Sequence, residues 1–186
     1  FLGHLSGAAN NGGTGNAGFG YQALNVNTIG NTNSAFGYRA LLNNSNGNAN
    51  SAFGGDALML NSTGIFNSAF GLNASRGNIT GDANAAYGRD ALYTNSVGSD
   101  NVAVGHQAGY SATGSSNVFI GSGAGYYETE SNKLYISNSS NSVTPLIYGD
   151  FANGKLGINS NTPIAALDID ALSSGRGIIL RNGKDV

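Results

Sequence analysis

Asn33-Ser34-Ala35-Phe36-Gly37-Tyr38-Arg39-Ala40-Leu41 is followed 17 residues on by Asn50-Ser51-Ala52-Phe53-Gly54-Gly55-Asp56-Ala57-Leu58, and then by Asn67-Ser68-Ala69-Phe70-Gly71. The same frame runs outward in both directions. Its glycine stands at Gly3, Gly20, Gly37, Gly54, Gly71, Gly88 and Gly105, each 17 residues after the last, with Gly121 following after 16. Before it come Leu2, Phe19, Phe36, Phe53, Phe70, Tyr87, Val104 and Ile120; three residues after it come Ser6, Ala23, Ala40, Ala57, Ala74, Ala91, Ala108 and Ala124. An asparagine precedes the glycine by four (Asn16 to Asn117), and a second glycine precedes it by seven in most copies, from Gly13 to Gly114. Such register over seven or eight copies identifies a repeat architecture, in which each unit completes its core only against its neighbours.

The unit is rich in Gly, Asn, Ser and Thr, which disfavour helix interiors. Its apolar positions alternate with small ones over four or five residues, the pattern of a short strand. Glycine and asparagine mark turns, since both tolerate positive φ. The expected fold is therefore all-β: a parallel β-solenoid (β-roll) of about eight 17-residue coils, each with two short strands and two turns. At about 4.8 Å per coil this is a rod of roughly 38 Å. Each coil is expected to bury one Phe and a few Ala, worth roughly 1.5–3 kcal/mol for the Phe against about 1–2 kcal/mol of backbone entropy per residue. A single coil cannot meet that cost, and even a stack has a thin core. The small residues Ala35 and Gly37, Ala52 and Gly54, Ala69 and Gly71 are expected to form a second face for close approach of another chain, which makes a parallel homotrimer the expected functional unit.

Composition supports a packed but sparsely charged structure. Of 186 residues, 10% are charged and 40% hydrophobic, with a net charge of −2. This is neither the profile of a disordered chain nor the basic footprint of a nucleic-acid binder. The chain has no cysteine, so disulfides, Cys-based zinc sites and thiol catalysis are excluded. No run reaches the roughly 20 apolar residues of a membrane span, and no signal peptide is visible. Phe1 falls in mid-repeat, the expectation for a piece of a longer chain.

Asp100-Asn101-Val102-Ala103-Val104-Gly105 and Ser116-Asn117-Val118-Phe119-Ile120-Gly121 resemble the head repeats of trimeric autotransporter adhesins, which carry an Asn-Ser-Val-Ala-Ile-Gly type signature. The longer unit around Phe36 resembles repeats of adhesin-like fibres and phage tail fibres. The resemblance covers residues 1–125. It implies a left-handed parallel β-roll trimer on the outside of a bacterial cell or on a virion tail. The chain departs from the adhesin pattern in its longer period and in Phe at the apolar site.

The repeat stops after Gly125. Both prolines, Pro145 and Pro163, and most of the charged residues lie beyond it. Residues 1–125 are read as the solenoid, 126–165 as a small antiparallel β-hairpin domain and 166–186 as a neck or connector. Lys133-Leu134-Tyr135-Ile136, Pro145-Leu146-Ile147-Tyr148 and Lys155-Leu156-Gly157-Ile158 read as strands, with Asn153-Gly154 as a hairpin signal. Ala166-Leu167-Asp168-Ile169 and Gly177-Ile178-Ile179-Leu180 are candidate further strands. The stretch from Leu146 to Pro163 resembles a segment found in fibre proteins ahead of a C-terminal intramolecular chaperone.

Several local patterns invite a chemical reading. Gly121-Ser122-Gly123-Ala124-Gly125 looks like a phosphate loop, but no helical pattern follows and its glycines fall in repeat register. His4 and His106 both follow the repeat glycine, in a slot held elsewhere by Tyr21, Tyr38, Gly55, Leu72, Arg89 and Ser122. Six coils separate them, about 29 Å, so they cannot share a metal in one chain. Asp56 and Asp90 lie about 10 Å apart by the same spacing, but nothing around them completes a catalytic pair. Asn61-Ser62-Thr63 matches a glycosylation acceptor by composition. Thr28, Thr63, Thr80 and Thr113 form a loose series, interrupted by Asn46 and Val97. No catalytic, cofactor or metal residue is therefore assigned.

The expected function is a structural fibre: the head or shaft of an extracellular adhesin or receptor-binding tail fibre, not an enzyme. Its partners would be its own copies and a cell-surface receptor or glycan, with Tyr21, Tyr38 and Arg39 as receptor-binding candidates. An ice- or crystal-surface-binding solenoid and a carbohydrate-processing tail spike are the alternatives.

Overall fold

A computed structural model describes residues 1–140 and 145–170. These residues contain no helix; they form a single 11-stranded sheet in which strand order follows the chain. Seven three-residue strands come from the repeats: β1 Ala17–Phe19, β2 Ser34–Phe36, β3 Ser51–Phe53, β4 Ser68–Phe70, β5 Ala85–Tyr87, β6 Val102–Val104 and β7 Val118–Ile120. Each pairs in parallel with the next, with repeat-equivalent residues aligned, as in Ala35↔Ala52 and Phe36↔Phe53. The result is a parallel β-solenoid of about seven turns. The Gly3 unit contributes the parallel bridge Leu2↔Phe19.

Each coil has one strand, not the two expected. The rest of the coil is a chain of turns whose N–H groups alternate between two uses. The N–H groups of Ala40, Leu42 and Asn44 close turns within the coil, on the carbonyls of Gly37, Arg39 and Leu41. Those of Arg39, Leu41 and Asn43 donate along the axis to Tyr21, Ala57 and Met59 of adjacent coils. Arg39 and Leu41 take positive φ to achieve this, as do Gln22, Asp56, Asn73, Asp90 and Gln107 at the first position and Leu24, Leu58, Ser75 and Leu92 at the second, so the left-handed backbone is not confined to Gly and Asn. The repeat glycines take a conformation closed to other residues, φ +143 at Gly54, and a Cβ there would lie 2.6 Å from the carbonyl carbon of Gly71. The second glycine series does not have positive φ. It is required by proximity: a Cβ on Gly64 would meet the Asn61 Oδ1 at 2.5 Å and the Asn78 Nδ2 at 2.8 Å.

The core differs from the expectation in one important respect. Phe36 and its equivalents are not inside. A three-residue strand turns only its central side chain inward, and Ala35, Ala52, Ala69, Ala86 and Ala103 fill that position with no exposure. Asn33, buried two residues before Ala35, fixes this phase, so Ser34 and Phe36 must point outward. Phe19, Phe36, Phe53, Phe70 and Tyr87 therefore stack on the outer face, with ring centroids 4.7–5.0 Å apart. The expected small face at Ala35 and Gly37 does not exist as a surface, because Ala35 belongs to the lumen.

Phe119 shows why aromatics are kept out of most coils. It occupies the lumen position of β7, fully buried, and Gly109 and Gly125 stand where Leu41 and Leu58 stand in other coils. A Cβ on Gly109 would lie 2.6 Å from the Phe119 ring, and one on Gly125 would overlap it. The ring fits only because the facing leucines are gone.

Beyond Gly125 the sheet continues. β8, Lys133–Ile136, pairs in parallel with β7. β9, Ile147–Asp150, is antiparallel to β8, and β10, Lys155–Ile158, is antiparallel to β9. Residues 151–154 make the β9–β10 turn, where Gly154 has φ +62 and the Asn153 N–H donates to Asp150. β11, Leu167–Ile169, pairs in parallel with β10. The candidate strand Gly177-Ile178-Ile179-Leu180 lies outside the described residues.

Candidate functional site: an exposed ligand column on an asparagine-laddered scaffold

Two asparagine ladders hold the coils in axial register. In the first, Asn33, Asn50, Asn67, Asn84 and Asn101 are buried, and each accepts at Oδ1 the backbone N–H of the next, at 2.9–3.1 Å. Their amide nitrogens donate to the glycine carbonyls Gly47, Gly64, Gly81, Gly98 and Gly114 at 2.8–2.9 Å. The second runs Asn10, Asn27, Asn44, Asn61 and Asn78, with Nδ2 of each donating to Oδ1 of the one before. Sequence reasoning missed this second ladder, although its 17-residue spacing is as regular as the first. It ends where Asn95 turns its Oδ1 to the Gly98 N–H, leaving the buried Asn78 Oδ1 without a partner. Asn61, the glycosylation-pattern residue, is fully buried in it and so cannot accept a glycan in the folded chain.

On this fixed scaffold several outward columns vary, among them the slot after the repeat glycine and the series Thr32, Ala49, Phe66, Ala83, Asp100 and Ser116. The residue after the repeat glycine is exposed at His4, Tyr21, Tyr38, Leu72, Arg89, His106 and Ser122, and half-buried at Gly55. The three receptor candidates lie together at its start. Tyr21 stacks between His4 and Tyr38, with centroids 5.7 and 5.4 Å apart. The guanidinium of Arg39 covers the other face of Tyr38 at 4.8 Å and reaches the next coil, where Nε and Nη2 donate to both oxygens of Asp56 at 2.8 and 2.7 Å. The bond to Asp56 raises the Arg39 pKa. Arg76 approaches the same carboxylate at 3.9 Å and lies against the Tyr93 ring at 5.7 Å. A second aromatic ladder, Tyr93, Tyr110 and Tyr126, follows at 5.0 and 4.8 Å; its spacing of 17 and 16 residues was present in the sequence and overlooked.

Stacking decides what these ladders can offer. Each ring covers its neighbour's face, so they present edges and hydroxyls to solvent, not the open faces on which a sugar ring would lie. The other candidate groups are similarly occupied. Asp56 is held by Arg39, and Asp90 accepts from Asn73 at 2.9 Å and from Arg89 at 3.1 Å. The Gly121–Gly125 segment is a repeat turn that makes room for Phe119. Thr63 and Thr80 are exposed at one position of consecutive coils, flanked by Asn46 and Val97. Among the described residues no group of three or more His, Cys, Asp or Glu side chains could hold a metal ion.

No family model, curated protein or solved structure matches the chain.

At the C-terminal end of the stack, β8 and β9 enclose a polar junction. Lys133 is buried, with Nζ 3.0 Å from Glu130 and 3.3 Å from Asp150. Burial alone would lower its pKa, but the bonds to Glu130 and Asp150 prevail and hold the ammonium well above the usual lysine range. Burial, followed by donation to Glu128 at 2.7 Å, drives the Tyr135 hydroxyl far above its usual value. Hydrogen bonds from Asn153, and then Lys133, keep Asp150 below the usual carboxylate range.

Proposed function

We propose that this chain is a structural segment of an extracellular fibre, the head or shaft of a trimeric surface adhesin or of a receptor-binding tail fibre. The observation that carries the reading is the exposed column after the repeat glycine. Lumen and ladders repeat with little freedom, yet outward positions vary from coil to coil, this one through His, Tyr, Leu, Arg, Ser and Gly. A rod that keeps its scaffold constant and changes its outward columns is suited to display contacts at intervals of about 4.8 Å. Parallel copies would multiply weak contacts of this kind into useful avidity.

Tyr21, Tyr38 and Arg39 are the proposed receptor contacts, acting through hydroxyl and guanidinium edges on a cell-surface glycan or protein. Surface display, on a bacterium or on a virion, belongs to the same reading. The test is binding of the purified, fluorescently labelled chain to panels of cells and immobilised glycans. Saturable binding that falls at least tenfold in Tyr38→Ala and Arg39→Ala supports the proposal. Binding that is unchanged in both variants moves the contact elsewhere, and absence of saturable binding on every panel overturns the adhesin reading.

A further inference from the structure

Leu24, Leu41, Leu58 and Leu92 stand four residues after the repeat glycine and fill the lumen with no exposure. Two other coils lose this leucine to Gly109 and Gly125, and the Phe119 ring takes up the room. In the Gly71 coil the same position is Ser75, 1% exposed, whose side chain is two heavy atoms smaller than that of leucine. Nothing larger replaces it. The strand residues that face the lumen here, Ala69 in β4 and Ala86 in β5, are the alanines of every ordinary coil. A close-packed interior disfavours such a deficit.

The deficit is lined by polar groups. Ser75 Oγ and Asn78 Oδ1 are both buried without a hydrogen-bond partner. They belong to one turn, in which the Asn78 N–H donates to the Ser75 carbonyl at 3.1 Å. In the preceding coils the Oδ1 of each second-ladder asparagine accepts Nδ2 of the next at 2.5–2.8 Å. Asn95 withdraws that bond. Its Oδ1 accepts the Gly98 N–H at 3.1 Å and its Nδ2 donates to the Gly98 carbonyl at 2.8 Å, so one of its two amide N–H groups is spare. Nearly every buried polar group finds a partner, and those with none in the protein find water. An apolar hole stays dry, whereas one lined by an acceptor, a hydroxyl and an amide N–H does not.

We infer that the lumen between the Gly71 and Gly88 coils is a hydration site for one ordered water molecule. The water donates to Asn78 Oδ1, shares a hydrogen bond with Ser75 Oγ and accepts from Asn95 Nδ2. It replaces the missing rung of the second ladder and links the coils on either side of the break. Buried waters make about three such bonds, and each needs only about 30 Å³. Water fits this lining better than a cation does: Ser75, Asn78 and Asn95 are uncharged, and the amide N–H would point at the ion. Leu58 and Leu92 bracket the site along the axis, so the water exchanges slowly with solvent.

The test counts long-lived internal waters in the full chain by oxygen-17 magnetic relaxation dispersion. Ser75→Leu fills the lumen as in the neighbouring coils, whose leucines take the same positive φ. It should keep the far-UV spectrum and lose about one long-lived water relative to the unaltered chain. Equal counts in the two folded proteins overturn the inference. A high-resolution crystal structure of the unaltered chain gives a readout that does not depend on the variant folding. Density is expected about 2.7–3.2 Å from both Ser75 Oγ and Asn78 Oδ1. Absence of density there overturns the inference, as does a peak with the short, all-oxygen contacts of a metal ion. So does xenon bound in this layer of a pressurised crystal, which would mark the space as dry.

Discussion

Replacing Asn67 by alanine tests whether the asparagine ladders hold the solenoid together. The Asn67 side chain is 1% exposed. Its Oδ1 accepts the Asn84 backbone N–H at 2.9 Å and the Asn84 Nδ2 at 3.1 Å; its Nδ2 donates to Asn50 Oδ1 at 3.1 Å and to the Gly81 carbonyl at 2.8 Å. Three of the four partners keep another bond. Asn50 Oδ1 still accepts the Asn67 backbone N–H, Gly81 O still accepts from Asn78, and Asn84 Nδ2 still donates to Gly98. Each such loss costs about 0.5–1.5 kcal/mol. The Asn84 N–H has no substitute and is left buried and unpaired, at about 1–3 kcal/mol.

The total of about 2.5–7.5 kcal/mol is a large share of the 5–15 kcal/mol that stabilises an ordinary domain. It also falls in mid-stack, where a broken coil separates the two halves of a one-dimensional array. Asn16, half-buried in the first coil, makes similar bonds, but its loss can be absorbed by fraying of one end and should cost about half as much. Asn46→Ala, at an exposed turn, should stay within about 0.5 kcal/mol. Urea unfolding followed by circular dichroism at one fixed chain concentration measures all three. If Asn67→Ala costs no more than Asn46→Ala, the ladder is a consequence of the fold and not a cause of its stability.

Gly54→Ala and Gly154→Ala separate backbone strain from steric overlap. Gly154→Ala, with φ +62 and open space around it, should cost about 1 kcal/mol, whereas Gly54→Ala drives a Cβ into the next coil and should abolish cooperative melting; similar melting temperatures would refute the account. Phe119→Ala should lose about 3–5 kcal/mol by opening a cavity, and adding Gly125→Leu should recover part of it by restoring the Ala–Leu pairing of the other coils; a double variant less stable than the single one would show that the pairing is not transferable. Asp150, depressed in the folded state, adds stability that is present above its unfolded pKa of about 3.9 and is lost as pH falls through its lower folded value. Lys133 and Tyr135, both raised, add stability that is present below their unfolded values of about 10 and is lost at higher pH. The opening free energy at β8 and β9, taken from amide exchange corrected for its intrinsic pH dependence, should therefore be highest and flat between about pH 5 and 9, with Asp150→Asn weakening the acid limb; an unchanged acid limb in that variant would remove Asp150 from the explanation.

The 17-residue register alone determined that the chain is a stack of like coils, where its turns fall and which slots vary. That much is local: a repeated unit must form the same bonds to its neighbours each time, so period and composition suffice. Which way each strand faces was not legible, because a three-residue strand offers no second apolar position to set its phase. Hydrophobicity argued for burying Phe36, and the structure buries Ala35 instead, since the phase comes from an asparagine amide that must reach both the next coil and a glycine carbonyl across the lumen. The lumen's width, set by those bonds and by the glycine contacts, is a property of the closed coil and admits an aromatic only where two leucines become Gly109 and Gly125. The outward Phe ladder follows from that tertiary closure, which turns a residue read as core into a stacked apolar column on the outer face of the rod.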